Sequence, residues 1–342
     1  MKTLETERLI LREIKPEDLE AMHSYASKPE NIIYMMWGPN TKEQTQEFIN
    51  MAIQQNNESP RANYHFSIIL NDTLIGACSI EINDNEAELG WLLHRNHWKN
   101  GYATEVGKEL LRFGFDELSL HRIIARCDSE NIGSYKVMER LHMRREGLFL
   151  DSRPAHKLSD RKYGDELRYA ILKDEWDSQK EIDYYNSLPC EFKDFIEVPQ
   201  LSNGEIYLVC TSKNPANPEK QWVPAYEFAI CKNGEKIGDI NLRIGYGGVN
   251  GSSLYYGGQI GYGVDEKYRG NGYAVQACQL LAPVAKAHGM TKLLITNNYT
   301  NIASKRVCEK LGAKLIRCAR VPEWHDMYER GIIFTNIFEW TL

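Results

Sequence analysis

The 342 residues contain no apolar run near the roughly 18 to 20 residues that a membrane-spanning helix requires. Among eight cysteines there is no C-x-x-C pair, and neither G-x-x-x-x-G-K-[ST] nor G-x-G-x-x-G occurs anywhere. These absences argue against a helical membrane protein, a zinc ribbon or disulfide frame, a P-loop NTPase and a dinucleotide-binding fold. The cysteines lie largely in apolar segments, so reduced, packed thiols are expected and no metal is inferred. A basic surplus is missing too. Lys+Arg number 41 against 47 Asp+Glu, a formal net charge of -6, and all of it arises in residues 1–175, with 23 basic and 29 acidic side chains. That balance argues against nucleic acid as the main ligand. It suits a cationic acceptor, as it also suits an ordinary solvated surface. The opening Met1-Lys2-Thr3-Leu4-Glu5-Thr6-Glu7-Arg8 is too charged for a signal peptide, so a cytoplasmic location without membrane contact is expected. A hydrophobic content of 42% and a length of 342 suit two globular domains.

What is present centres on Tyr268-Arg269-Gly270-Asn271-Gly272-Tyr273-Ala274, a glycine-bracketed turn that runs into the helix-forming Val275 to Leu281. The strand-like Gln259 to Val264 precedes it, giving strand, turn, helix. Glycines let a backbone approach a phosphate, and the first N–H groups of a helix aim partial positive charge at it. The unit reads as an anion cradle, although such turns also occur for packing alone.

The unit occurs twice. Asn100-Gly101-Tyr102-Ala103 repeats Asn271-Gly272-Tyr273-Ala274 at an offset of 171, and Asn131-Ile132-Gly133-Ser134 repeats Asn301-Ile302-Ala303-Ser304 at 170. Glu88 to Leu93 matches Gln259 to Val264, again at 171, half the chain length. Three collinear matches at such a period imply two whole domains rather than a solenoid.

Arg269-x-x-Gly272-x-Ala274 resembles the pyrophosphate-binding signature of the GNAT superfamily of N-acetyltransferases, and Asn301-Ile302-Ala303-Ser304 resembles its second motif. Thr6-Glu7-Arg8-Leu9-Ile10-Leu11-Arg12, Gly101-Tyr102-Ala103-Thr104-Glu105 and Asp165 to Leu172 are similar to the branch of ribosomal-protein N-terminal acetyltransferases. Two departures stand out: Trp98 where the superfamily motif has Gln or Arg, and His142-Met143 where Gly-Phe is usual. The resemblance implies an α/β fold with a mixed, mostly antiparallel sheet flanked by helices, present as two tandem domains, residues 1–176 and 177–342. It further implies acetyl-CoA as cofactor and, as acceptor, a small-molecule amine or a protein N-terminus.

The element order agrees. Strands are expected at 7–14, 64–70, 73–82, 86–93, 121–127, 144–150 and 166–172, with helices from Pro16, over Thr41 to Gln55, from the first cradle to about Leu118, and over Gly133 to Leu141. Lys173 to Pro189 is polar and reads as a connecting helix. In the second half strands are expected at 205–211, 226–231 and 236–244, the last two joined by the hairpin turn Asn233-Gly234. Only fourteen residues, 212 to 225, separate the first two of these, too few for the two helices that line the acceptor side in the first half. Gly245 to Gly258, with six glycines, reads as a mobile loop.

Acetyl transfer to an amine requires a neutral amine, stabilisation of the oxyanion and a proton for the departing thiolate. Glu88 is the candidate base, by its strand position and by resemblance to the general base of several GNAT enzymes; an exposed strand carboxylate is the competing reading, with Glu81 and Glu86 close by. Gln259 holds the matching place in the second half and cannot be a base. The resemblance assigns coenzyme contacts to the strand ends Trp91-Leu92-Leu93 and Tyr262-Gly263-Val264. It assigns the pyrophosphate to the backbone of Lys99, Asn100, Gly101, Tyr102, Ala103 and Thr104, and of Arg269, Gly270, Asn271, Gly272, Tyr273, Ala274 and Val275. Asn131, Asn301 and Ser304 complete the coenzyme set. The tyrosine that many GNAT enzymes use as thiolate acid is replaced by Met138 and Cys308. Ser134 is carried as a catalytic candidate in its stead, while a serine in a first helical turn is also a common cap. Two functional readings stay open: an N-acetyltransferase with its chemistry in the first domain, and a non-catalytic coenzyme A-binding sensor or scaffold. Neither the acceptor's identity nor an oligomeric state can be read from the sequence.

Overall fold

The structure is a computed structural model and describes residues 2–84, 86–155, 159–219, 222–247 and 253–342. The chain divides into two compact units, Met1–Trp176 and Asp177–Leu342.

Unit 1 runs β1 (Thr3–Glu5), β2 (Ile10–Glu13), α1 (Leu19–Ala26), α2 (Pro29–Ile32), α3 (Lys42–Asn56), β3 (Asn63–Leu70), β4 (Thr73–Asn83) and β5 (Glu86–Leu93). It continues with α4 (Tyr102–Arg112), β6 (Arg122–Asp128), α5 (Ile132–Arg140), β7 (Arg144–Pro154), β8 (Tyr163–Leu172) and α6 (Lys173–Asn186), which carries past the unit boundary. The eight strands form one sheet in the order β1-β2-β3-β4-β5-β6-β8-β7. Every neighbouring pair is antiparallel except β5 with β6. Local chemistry sets the element ends. Thr41 caps α3: its hydroxyl accepts from Gln44 N–H, and the Gln44 side chain accepts in return from Thr41 N–H at 2.9 Å. Asn71 and Asp72, at φ 47° and 63°, make the tight β3–β4 turn. Helix α5 leaves through His142 at φ 58°, the job Gly312 does in unit 2 at φ 74°, so the His142-Met143 departure costs some backbone strain but not the helix exit.

One face of the sheet buries Phe66, Ile80, Leu89 and Ile123 against Val106 and Leu110 of α4 and Val137 and Met138 of α5. On the other face Met22 and Tyr25 of α1 and Ile49 and Ala52 of α3 pack with Ala77 and Leu92.

Unit 2 runs β9 (Leu201–Ser202), β10 (Tyr207–Asn214), β11 (Ala225–Lys232), β12 (Glu235–Arg243), α7 (Ser253–Gly257), β13 (Ile260–Val264) and α8 (Tyr273–Ala287). It ends with β14 (Lys292–Asn298), α9 (Ile302–Lys310), β15 (Lys314–Arg320), α10 (Asp326–Glu329) and β16 (Phe334–Thr341). Its strands form two sheets, β13-β12-β11-β10-β9 and β14-β16-β15. Among the described residues no helix lies between β10 and β11, as the short gap requires; an Asn217–Trp222 bridge is found there instead. The glycine-rich stretch differs from expectation, because 253–257 form α7 while 248–252 lie outside the described residues. No helix of the described residues is long and apolar enough to cross a membrane.

Candidate functional site

Both cradles have the backbone that their glycines predict. Gly101 and Gly272 cap α4 and α8 at φ 81° and 80°, and neither offers a side chain to the first helical N–H groups. Those donors are left for a ligand. A side chain at Gly270 or Gly272 would meet no atom within 4 Å, so the requirement there is the positive φ, whereas at Gly101 a Cβ would lie 3.4 Å from Arg8 Nη2.

The residues around the turns act as braces. Trp98 Nε1 donates to Leu93 O at 2.8 Å and Arg269 Nε to Val264 O at 3.0 Å, so the two unlike side chains pin the end of the preceding strand to the turn in the same way. Asn100 and Asn271 donate to carbonyls of their own turns at 3.0 Å. Each cradle tyrosine is covered by a cation, Tyr102 by Arg8 at 4.6 Å and Tyr273 by Lys232 at 4.6 Å. Glu105, in the first turn of α4, accepts from Arg8 N and Arg8 Nε at 2.8 Å each and from Thr6 Oγ1. The Thr6–Arg8 and Gly101–Glu105 motifs are therefore one assembly. Gln276 holds the Glu105 position in unit 2 and bonds Asn203 and Glu205 at 2.7 and 2.9 Å. Sequence reasoning missed Arg8, whose signal was an arginine in the opening motif.

Beside each cradle the sheet splits. Strands β5 and β6 pair from Glu86–Arg122 to Leu89–Ala125 and then part, so Trp91, Leu92 and Leu93 pair with β4 alone. In unit 2 a single residue joins the corresponding strands. Gln259, fully buried, donates its N–H to Leu294 O at 2.8 Å, its Oε1 accepts from Leu294 N–H, and its Nε2 donates to Gly245 O at 3.0 Å. Tyr262, Gly263 and Val264 lie past that tie and pair with β12 alone.

Asn131 and Asn301 are N-caps whose Oδ1 atoms accept from Ser134 and Ser304 N–H, 3.1 Å in both units. The Ser134 hydroxyl meets the Cys127 thiol, which burial pushes up to about 11. The Ser304 hydroxyl lies 2.9 Å from Tyr262 OH.

Glu88 sits on the α1/α3 face, one rung before the split. Both its oxygens are engaged by Arg126, at 2.9 and 2.5 Å. Glu81 stands directly opposite Glu88 on β4. Partial burial, then the Glu88 charge, push the Glu81 carboxyl above its usual range. Next along this face His65 Nε2 donates to Gln55 Oε1, 2.7 Å away, and burial followed by the Arg61 charge lowers the imidazole to about 4. In unit 2 the positions of His65 and Ser79 are taken by Glu227 and Asn241, cross-strand neighbours of each other, with Asn241 opposite Gly261. Burial raises the Glu227 carboxyl. Sequence reasoning had missed Arg126, Glu227 and the raised basicity of Glu81, since none sits in a motif. Among the described residues no three His, Cys, Asp or Glu side chains are grouped to hold a metal ion.

Comparison with known proteins places the chain in a class. The acetyltransferase (GNAT) domain family matches residues 8–144 and 193–314, and the chain belongs to that family, with a GNAT domain in each half. Over 175 residues it is 37% identical to YnaD, an uncharacterised N-acetyltransferase of Bacillus subtilis (strain 168), covering 50% of this chain and 97% of that one. Over 157 residues it is 40% identical to the uncharacterised N-acetyltransferase p20 of Bacillus licheniformis, covering 44% and 87%. A GNAT-family acetyltransferase from Bacillus anthracis of known structure is 34% identical, with a TM-score of 0.45 over 51% of this chain and 99% of that chain. The protein is an acetyltransferase of the acetyl-CoA-using kind, and its glycine caps, with their first-turn donors left for a ligand, fit that coenzyme.

Proposed function

We propose that the chain transfers an acetyl group to a primary amine and that unit 1 performs this step. The observation that carries the reading is a conjunction found there: the split of β5 from β6, the Gly101 cradle, and Glu88 on the sheet face that α1 and α3 wall. When bound, acetyl-CoA supplies an activated acetyl thioester. The N–H groups of Lys99 to Thr104 hold its pyrophosphate, and the open edge of Trp91 to Leu93 holds the pantetheine arm and offers N–H donors to the developing oxyanion. Arg126 fixes the Glu88 carboxylate in place. Glu88 takes the proton of the incoming amine, with Glu81 as the second carboxyl on that path. The acceptor is a small amine or a protein N-terminus, met by an acidic face.

A second reading, a coenzyme A-binding scaffold without turnover, is favoured by the engagement of both Glu88 oxygens by Arg126. Thiol release from acetyl-CoA, measured over peptide N-termini, polyamines, amino sugars and aminoglycosides, separates the two. Glu88→Gln should lower kcat by about 10² to 10⁴, most steeply at low pH, with acetyl-CoA affinity kept. An unchanged kcat from about pH 6 to 9 removes Glu88 from the mechanism. Binding without release for any amine supports the scaffold.

A further inference from the structure

Unit 2 holds a phenol where unit 1 has an indole. Three pairs of positions surround each split: Trp91 and Tyr262 on the strand, Ser134 and Ser304 in the first turn of the following helix, Met138 and Cys308 one turn further on. In unit 1 they bring an indole, a hydroxyl turned to the Cys127 thiol, and a thioether. In unit 2 the Tyr262 hydroxyl lies 2.9 Å from Ser304 Oγ and also meets the Cys308 thiol. Tyr262 stands past the Gln259–Leu294 tie, so its phenol bridges the opening between β13 and the start of α9. The groups facing it are Ser304 and Cys308 from α9 and Cys278 from α8, and burial leads the causes that raise its pKa, which keeps the phenol protonated. On the opposite sheet face Asn241 stands across from Gly261, whose N–H donates to Asn241 Oδ1 at 3.0 Å, and Glu227 stands across from Asn241 on the next strand.

We propose that unit 2 is a second acyl-transfer centre, in which the Tyr262 hydroxyl protonates the departing thiolate while the amine approaches from the Glu227–Asn241 face. This rests on the acetyl-CoA reading for the thioester, and not on unit 1 being active. As the carbon–nitrogen bond forms and the carbon–sulfur bond breaks, the sulfur leaves with the bonding pair and Tyr262 gives it a proton. The surplus proton of the amine passes to Glu227. The phenolate regains a proton from the Ser304 hydroxyl, which recovers one from solvent, and Glu227 releases its own to solvent, so the enzyme is restored.

The test uses the full chain with Gly101→Pro, which breaks the unit 1 cradle, with and without Tyr262→Phe, which removes only the hydroxyl. A Glu88→Gln background serves where Gly101→Pro disturbs unit 1. Turnover should persist in the background and fall by about 10²-fold or more on adding Tyr262→Phe, with acetyl-CoA affinity unchanged. Calorimetry with free coenzyme A gives a reading independent of turnover: a phenol donor favours bound thiolate, so affinity should rise with pH, and Tyr262→Phe should abolish the rise. A silent background beside an active wild type overturns the proposal, as does a Tyr262→Phe variant with full rate. Should the wild type release no thiol with any amine, the proposed function fails instead, and an unaltered pH dependence of coenzyme A binding then overturns the role of Tyr262.

Discussion

Replacing Gln259 with alanine should loosen unit 2 at one identifiable place. The side chain is wholly buried and makes two bonds that its own backbone cannot replace, to Leu294 N–H and to Gly245 O. Alanine leaves the buried Leu294 N–H unpaired, whereas the half-buried Gly245 carbonyl can turn to solvent, so the expected cost is about 1–3 kcal/mol. That is a measurable part of a domain's stability, which is about 5–15 kcal/mol. No such cost falls on unit 1, where four rungs, Glu86–Arg122 to Leu89–Ala125, join the corresponding strands. Hydrogen exchange read by mass spectrometry resolves the two units. Peptides over 259–264 and 292–298 should exchange about 5-fold to 100-fold faster, since each 1.4 kcal/mol is tenfold, while unit 1 is unchanged. Gln259→Glu supplies a sign check. The buried carboxylate would face Gly245 O, so its folded pKa is raised, the penalty is absent below the unfolded value of about 4.3, and it grows as pH rises through the folded one. Wild-type exchange rates in Gln259→Ala would refute the strut.

Calorimetry should count two acetyl-CoA molecules per chain, with Gly272→Pro and Gly101→Pro each removing one, because proline cannot adopt the φ of 80° and 81° found there. A count of zero refutes both cradles, and a count of one that only Gly101→Pro abolishes makes unit 2 a non-binding copy. Unit 1 should also lose stability in mild acid. Folding lowers His65 from 6.5 to about 4, so the unfolded chain binds the proton first: the stabilisation is full above pH 6.5 and falls by about 2–3 kcal/mol by pH 4.5. Denaturant midpoints at the two pH values check this, and His65→Gln should flatten the difference.

What could be read from the sequence was backbone. Positive φ at Gly101, Gly270 and Gly272 is written in residue type, and so are the Asn71-Asp72 and Asn233-Gly234 turns and the Thr41 cap. Strand β5 came out at Glu86–Leu93 because alternation and flanking residues agree there. The opening strand was placed at 7–14, whereas β2 covers Ile10–Glu13 and Thr3–Glu5 forms a separate strand. Partners could not be read. Arg126 lies 38 residues from Glu88, and the Tyr262–Ser304 contact spans 42. Nothing local to Gln259 distinguishes a buried tie from a surface amide; only the parting of two sheets gives it that task. Trp98 shows the reverse, a motif departure that the Leu93 carbonyl explains at once.

Helix α6 has a consequence for anyone who would divide the protein. Trp176 belongs to the core of unit 1, while Ile182 and Tyr185, six and nine residues further along the same helix, belong to the core of unit 2. The boundary at residues 176 and 177 therefore falls inside regular helix rather than in a loop. A cut placed after residue 176 would leave a fresh chain end at a buried indole, and would take from the other half the first turn of the helix that carries its aromatic anchor. Shuffling one half onto a different partner therefore means choosing which half keeps the whole helix.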